Sequence, residues 1–170
     1  ETGVSVWTIT GNSAATFGDV SATGDFTWGV GSFTVINNIP APTGVTITSF
    51  RTNFGASNSV KFKVFRNTAG NSFTLVGESP VISSGVGLQT HPVNIPGVKP
   101  GDFGGLWYDE SGGMVHSGSG SNSWWYNFGD IGSGTYYWYG AGINAMFDAS
   151  FSGGSLWELG VPSSGNVTGA

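Results

Sequence analysis

The chain has 170 residues, no cysteine and only 9% charged residues. The lack of cysteine excludes a disulfide framework and a thiolate metal site, and no apolar run reaches the ~18 to 20 residues that a membrane span requires. The formal net charge is −5 and all five basic residues lie between 51 and 99, which argues against nucleic acid and anionic membranes as partners because both need basic patches.

A single domain is predicted, since a chain of this length normally builds one core and no linker or internal repeat interrupts it. We expect residues 1–3 (Glu-Thr-Gly) to be an expression-vector scar, 4–162 to form one β-sandwich domain, and 163–170 to be a polar C-terminal tail. The low charge, the 30 glycines and a glycosylation sequon at Asn166 favour a secreted or cell-surface protein.

Short β-strands are predicted along the whole chain, because apolar and polar residues alternate in one segment after another. The clearest segment is 60–64, Val-Lys-Phe-Lys-Val, where apolar side chains share one face and lysines share the other. No segment has a helical period with caps. The predicted strands are 4–10, 26–36, 45–50, 60–64, 72–77, 79–83, 87–95, 103–109, 123–128, 134–139, 144–151 and 155–159. They predict an all-β fold, an antiparallel two-sheet β-sandwich of the jelly-roll type.

The central part of the chain carries a recurrent pattern of core and turn residues. It reads VKFKVFR at 60–66, FTLVGESP at 73–80 and VNIPGVKPGD at 93–102. This pattern resembles secreted jelly-roll β-sandwich modules that are appended to surface, adhesive and carbohydrate-binding proteins. The resemblance covers about residues 45–110. It implies the fold, and it transfers no catalytic or binding residue.

Aromatic residues are concentrated between 107 and 139, a stretch with ten of the 24 aromatics, all five tyrosines and no lysine or arginine. Successive side chains of a strand point to opposite faces, so such a run cannot place every ring in one core. The more polar set of each strand is predicted to face solvent: Trp107, Asp109, Trp125, Asn127, Tyr137 and Tyr139. The opposite set is predicted to be core: Tyr108, Trp124, Tyr126, Phe128, Tyr136 and Trp138.

Exposed rings beside an acid and an amide are typical of a saccharide site, because sugar C–H groups stack on rings while the polar groups bind hydroxyls. A long loop at 109–122, which contains His116, is predicted to border this site. The sequence therefore predicts an extracellular, non-catalytic, lectin-like module that binds carbohydrate. The alternative is a structural or adhesive module, in which the same rings pack into an interface with another protein or a second copy of the chain. The rings could also have no binding role and be buried by the second sheet or by loops.

An enzyme is not expected, since neither a G-x-S-x-G elbow nor an H-E-x-x-H motif occurs. Asp109 and Glu110 are adjacent, so on a strand their carboxylates point apart. A glycosidase needs two converging carboxylates, and candidates for the second are Asp130, Asp148 and Glu158. A β-sandwich glycosidase is thus kept as the weaker alternative.

No cofactor is predicted, and two histidines without cysteine make zinc a poor candidate. A structural calcium ion is left open, because carboxylates and loop carbonyls could supply its oxygen ligands. Four acidic residues lie in Gly-rich turns, although Asp in a turn normally serves the turn itself. They are Asp19, Asp25, Asp102 and Asp130.

Overall fold

The computed structural model describes residues 16–19, 26–27, 31–41, 45–109, 116–119, 123–139, 143–145 and 147–152, with side chains at 31–41, 46–109 and 123–139. The described residues form strands β1 (Thr16–Asp19), β2 (Phe26–Thr27), β3 (Phe33–Pro40), β4 (Val45–Phe54), β5 (Asn58–Ala69), β6 (Ser72–Glu78), β7 (Ile82–Ser84), β8 (Gly87–Val98), β9 (Phe103–Tyr108), β10 (His116–Ser119), β11 (Trp124–Phe128), β12 (Gly134–Thr135), β13 (Tyr137–Tyr139), β14 (Ile143–Ala145) and β15 (Phe147–Ser152). They include no helix, so the predicted all-β class is confirmed. The predicted segments at 1–3, 4–10, 155–159 and 163–170 lie outside the described residues.

A helix with the length and apolarity needed to cross a bilayer does not occur in the described ranges. The strands there form three antiparallel sheets. The first has the order β1-β15-β4-β8, and the second has the order β14-β10-β2. The third and largest has the order β12-β6-β5-β9-β3-β11-β13, with β7 paired to β5.

The largest sheet is nearly closed, because a single stretch of chain supplies both of its terminal strands. Gly134 and Thr135 of β12 pair with β6 at one end of the sheet. Tyr137 to Tyr139 of β13 pair with β11 at the other end. We call residues 129–139 the closing segment. It gives the sheet a barrel-like curl, with an inner face beneath the segment and an outer face directed away from it.

The outer face of the large sheet packs against the four-stranded sheet. Val60, Phe62 and Val64 of β5 point to this side, as their alternation predicts, and all three are fully buried. Phe62 stacks on Phe50 of β4 with 5.2 Å between ring centroids. The main core therefore draws on both sheets and consists of Phe33, Val35, Ala41, Ile47, Phe50, Phe54, Val60, Phe62, Val64, Ile95, Val98, Leu106, Tyr108 and Trp124.

A second, smaller core lies on the inner face. It consists of Ile36, Phe65, Phe73, Trp125 and Tyr136. The rings meet edge to face, and Phe65 and Phe73 each lie within 5.6 Å of the Tyr136 centroid. Gly105 makes this packing fit, because a Cβ there would lie 2.5 Å from a Phe65 ring carbon. A strand glycine of this kind marks a close approach to the backbone.

The turn before β9 is fixed by a paired carboxylate. Asp102 accepts two hydrogen bonds from the Arg66 guanidinium, at 2.8 and 2.7 Å, and a third from the Lys99 N–H at 2.7 Å. Its side chain is buried, whereas that of Arg66 is partly exposed. The hydrogen bond to Asp102 raises the pKa of Arg66 above its usual value. Asp102 thus serves the turn and anchors it to β5.

Candidate functional site

Two of the predicted site residues, Trp107 and Asn127, lie on the inner face in the same cross-strand row. Both are register partners of Thr34, on opposite sides of β3. Trp107 is half-buried, and its indole N–H donates to the Ser32 hydroxyl at 2.7 Å. The Lys61 ammonium lies 5.6 Å from the centroid of the Trp107 ring. Trp107 therefore has internal partners on both its edge and its face.

The predicted exposure of Trp125 is wrong. The residue is only 8% exposed and belongs to the inner core. Its indole N–H donates to Asn71 Oδ1 at 3.1 Å, and its ring lies 5.0 Å from Phe73 and 5.5 Å from Phe103. Alternation placed Trp125 on the correct face. It could not show that the curl of the sheet and the closing segment cover that face.

Two residues predicted to be core are exposed instead. Phe128 is 61% exposed and Trp138 is 47% exposed. Phe128 is the last residue of β11, and Trp138 lies on the terminal strand β13, so no further strand among the described residues covers either ring. The predicted burial of Tyr108, Trp124 and Tyr136 is confirmed.

Tyr137 and Tyr139 lie on the outer face, opposite to the row that contains Trp107 and Asn127. Tyr137 pairs with Tyr126, and Tyr139 pairs with Trp124. Tyr137 is 58% exposed, as predicted, whereas Tyr139 is half-buried. The predicted surface is therefore divided between two faces of the sheet and does not form one patch.

The outer face nevertheless carries a continuous group of rings at the end of the sheet. Tyr126 lies at its centre, 5.5 Å from Tyr137, 6.0 Å from Phe128 and 6.4 Å from Tyr139 between ring centroids. We call these four residues the aromatic edge. The buried Trp124 packs beside it, 4.8 Å from Tyr139. Two largely exposed rings, Phe128 and Tyr137, thus lie beside the half-buried rings of Tyr126 and Tyr139.

The polar residues of the predicted site have other tasks or positions. The Asn127 amide donates to the Thr135 carbonyl at 2.9 Å and accepts from the Phe128 N–H at 2.8 Å, so it joins β11 to the closing segment. Asp109 is half-buried, and its N–H donates to the Ser59 carbonyl at 3.0 Å. His116 is the first residue of β10, with Thr27 as its register partner. Its side chain, like most of the loop around it, lies outside what the structure describes.

A cluster of four charged side chains was not recognised as a site from the sequence. We call Lys61, Lys63, Glu78 and Asp130 the charge cluster. Lys63 Nζ lies 2.5 Å from Asp130 Oδ1, 3.1 Å from Glu78 Oε2 and 3.0 Å from the Ile131 carbonyl. Lys61 Nζ lies 2.5 Å from Asp130 Oδ2 and 3.7 Å from Glu78 Oε1. Asp130 therefore bridges two lysines of one strand.

The cluster shifts the ionisation of its members. Burial alone would raise the pKa of the Asp130 carboxyl, but the hydrogen bonds from Lys61 and Lys63 outweigh burial and hold that pKa below its usual value. The hydrogen bond to Asp130 raises the pKa of Lys61. Burial raises the pKa of the Tyr136 phenol well above its usual value, and the charge on Asp130 adds to this effect.

The start of the closing segment is held on the inner face by further hydrogen bonds. The Thr34 hydroxyl donates to the Gly129 carbonyl at 2.7 Å and accepts from the Ile131 N–H at 3.1 Å. The Tyr136 hydroxyl lies 2.7 Å from the Gly132 carbonyl. Together with the charge cluster, these bonds fix Asp130 against β5.

A hydroxyl-rich cavity of about 300 Å³ opens beside β7, next to the β5 end that receives the Asp109 N–H bond. Its lining carries no formal charge and consists of Ser57, Asn58, Ser59, Ser83, Ser84 and Gly85. Within the described ranges, no three acidic or histidine side chains converge as a metal site would require. Both Asp102 and Asp130 have cationic side chains as partners there.

The chain matches no protein-family model, no curated protein and no solved structure in comparisons with all three. The aromatic edge and the charge cluster are the features from which its function has to be inferred. The first offers exposed apolar area to a partner, and the second brings four charged groups together on the inner face of the large sheet.

Proposed function

We propose that this protein is a secreted or cell-surface, non-catalytic module that binds carbohydrate through the aromatic edge. The observation that carries the proposal is the exposure of Phe128 and Tyr137, at 61% and 58%, on a base of packed rings. Large exposed aromatic side chains on a folded domain mark binding surfaces, and flat rings suit the apolar faces of sugars.

The chemistry of the edge favours an uncharged ligand. Residues 107–139 contain no lysine or arginine that could pair with an acidic sugar. The phenol groups of Tyr137 and Tyr139 can exchange hydrogen bonds with sugar hydroxyls. Neutral glycans are therefore the ligand class that this surface suits.

Titration of tryptophan fluorescence with neutral glycans such as β-glucan, mannan and chitin oligomers tests the proposal, because the Trp124 ring contacts Tyr126 and Tyr139 of the edge. Tyr137→Ala and Phe128→Ala should each weaken binding about tenfold, the equivalent of ~1.4 kcal/mol. Trp138→Ala is the matched control, since this ring is exposed on the opposite face and should leave affinity unchanged. Loss of binding in Trp138→Ala alone would place the ligand on the inner face.

The alternative function, a structural or adhesive protein interface, uses the same rings and predicts a different result. No fluorescence response to any glycan, together with a mass that rises with concentration in sedimentation, would favour that interface. A glycan response that survives both edge variants and is lost in Ser83→Trp would move the site to the hydroxyl-rich cavity. Turnover of a polysaccharide would instead support a β-sandwich glycosidase.

We also propose that the whole chain is a two-sheet jelly roll in one domain. The contact between Phe50 and Phe62, which joins the four-stranded sheet to the large one, supports this arrangement. No cofactor is proposed. A structural calcium ion is the alternative, and thermal unfolding with and without a calcium chelator distinguishes the two.

A further inference from the structure

We propose that Lys63 and Asp130 become joined by a covalent amide bond between their side chains, formed by the protein itself with Glu78 as the proton carrier. This modification site is independent of carbohydrate binding, because it lies on the inner face. The proposed bond gives each residue of the charge cluster a role, whereas carbohydrate binding at the aromatic edge uses none of them.

The first argument is the position of Lys63. Its side chain is 1% exposed, although lysine is almost never fully buried unless it is paired. Its nitrogen lies 2.5 Å from Asp130 Oδ1, in direct contact with the carboxyl group. The lysine nitrogen and the carboxyl group are thus held in contact, an arrangement that a bimolecular reaction would have to reach by collision.

The second argument is the position of Glu78. It is the direct register partner of Lys63 across β5 and β6, and its Oε2 lies 3.1 Å from Lys63 Nζ. This distance allows proton transfer, which is the geometric requirement for a general base. Glu78 can therefore take a proton from the lysine and return it to the oxygen that leaves.

The third argument is Lys61, whose ammonium lies 2.5 Å from Asp130 Oδ2, the oxygen that faces away from Lys63. Negative charge builds on the carboxyl oxygens when an amine adds to the carbon. A fixed cation at Oδ2 stabilises that charge, as donors of an oxyanion hole do. Because Lys61 holds Oδ2, we expect Oδ2 to be the oxygen that is retained in the amide product.

The reaction is a condensation that needs no other reactant. The pair begins as an ammonium and a carboxylate, and Glu78 first carries one proton from Nζ to Oδ1, which gives the neutral amine and carboxylic acid that can react. Nζ then forms a bond to Cγ of Asp130, and a second proton passes from Nζ to Oδ1 through Glu78. The Cγ–Oδ1 bond then breaks and Oδ1 leaves as water, while Oδ2 becomes the amide carbonyl oxygen. Glu78 ends ionised, as it began, and balances the charge of Lys61.

The bond would supply a covalent staple that the sequence otherwise lacks, since the chain has no cysteine. It would tie the closing segment to β5 in the middle of the sheet. It would also replace an ammonium and a carboxylate by a neutral amide, which removes the cost of keeping the lysine charge away from water.

Mass spectrometry of the purified whole chain under denaturing conditions is the decisive experiment. We expect a mass lower than that of the sequence by one water, and a proteolytic digest in which the peptides of Lys63 and Asp130 are joined. A mass equal to that of the full sequence overturns the proposal. So does a loss of water with the two peptides separate, or a branch that begins at Lys61.

Variants test the assigned roles by the same readout. Lys63→Arg should have the full sequence mass, Glu78→Gln should leave most molecules unjoined, and Lys61→Met should lower the joined fraction. Lys99→Arg is the control, because this lysine is exposed and its backbone N–H contacts Asp102, which is not part of the charge cluster. The Lys99→Arg variant should stay fully joined. Complete joining in Glu78→Gln contradicts the proton-carrier role. If a variant fails to fold, the mass of the unaltered chain still decides.

Discussion

At the residue scale, Trp125 shows how one side chain can hold an inner core together. Its ring contacts Phe73 and Phe103 edge to face, and its indole reaches Asn71 beyond the end of β5. The same ring also supports the partly exposed Trp138 at 4.7 Å. Removal of this side chain would leave a cavity that the surrounding aromatic rings, fixed on three strands, are poorly able to fill.

We therefore expect Trp125→Ala to lower the free energy of unfolding by ~3 to 5 kcal/mol. Trp138→Ala, whose ring is about half exposed, should lower it by much less. Urea unfolding followed by circular dichroism measures both. Equal and small effects in the two variants would show that Trp125 is not core.

His91 is the second residue whose environment makes a testable difference. It is buried against the Phe50 ring at 4.8 Å, and its Nε2 lies 3.1 Å from the Ser84 hydroxyl and 3.3 Å from that of Thr52. Burial lowers the pKa of His91, so the folded protein takes up its proton at a lower pH than the unfolded chain does. The stability that this gives is present above the ordinary histidine pKa of ~6.5 and is lost as pH falls towards the folded-state pKa.

The free energy of unfolding should thus decrease from pH 7 to pH 5 more steeply in the unaltered chain than in His91→Gln. Denaturant midpoints at a series of pH values check this, and carboxylate titration contributes to both proteins alike. Parallel curves for the two proteins would contradict the assignment of this slope to His91.

At the element scale, β9 has to let the Phe65 ring of β5 and the backbone of β3 approach it closely. Gly105 makes this approach possible, because an added Cβ would lie 2.5 Å from the Phe65 ring and 3.0 Å from the Val35 carbonyl oxygen. Glycine at this position therefore weakens the strand itself but allows its neighbours to pack closely against it. Gly85 is not constrained in this way, because the nearest atom to an added Cβ there would lie 3.7 Å away.

Gly105→Ala should consequently destabilise the protein by about 1 to 3 kcal/mol, the usual effect of overpacking. Gly85→Ala should be close to neutral and serves as its control. Thermal unfolding by calorimetry compares the two. A neutral Gly105→Ala would mean that Phe65 can move aside without loss.

The sequence predicts single strands well and their surroundings poorly. Alternation at 60–64 correctly gave a strand with one apolar face, and it correctly put the two lysines on the other. It could not show that the lysine face is covered, because the cover comes from residues 129–139, far along the chain. The split of the predicted strand 134–139 into β12 and β13 was missed for the same reason.

At the scale of the whole molecule, closure of the large sheet decides which predicted site residues are available. Trp107 and Asn127 lie on one face of the sheet and Tyr137 lies on the other. This difference depends on the register in which β13 pairs with β11, and no local sequence pattern contains that register. Exposure likewise depends on where the sheet ends, which is why Phe128 and Trp138 were placed wrongly. The aromatic run allowed an exposed aromatic surface to be predicted, but it did not show which residues form that surface.

The closing segment also determines how the domain would respond to a pull. A tethered ligand on Tyr137 would load β13, which continues through Tyr136 into β12 at the opposite end of the sheet. Force applied at one edge is therefore shared by both edges, and strands cannot be unzipped one after another from the loaded side. A joint between Lys63 and Asp130 would carry that tension directly into β5, an interior strand of the sheet.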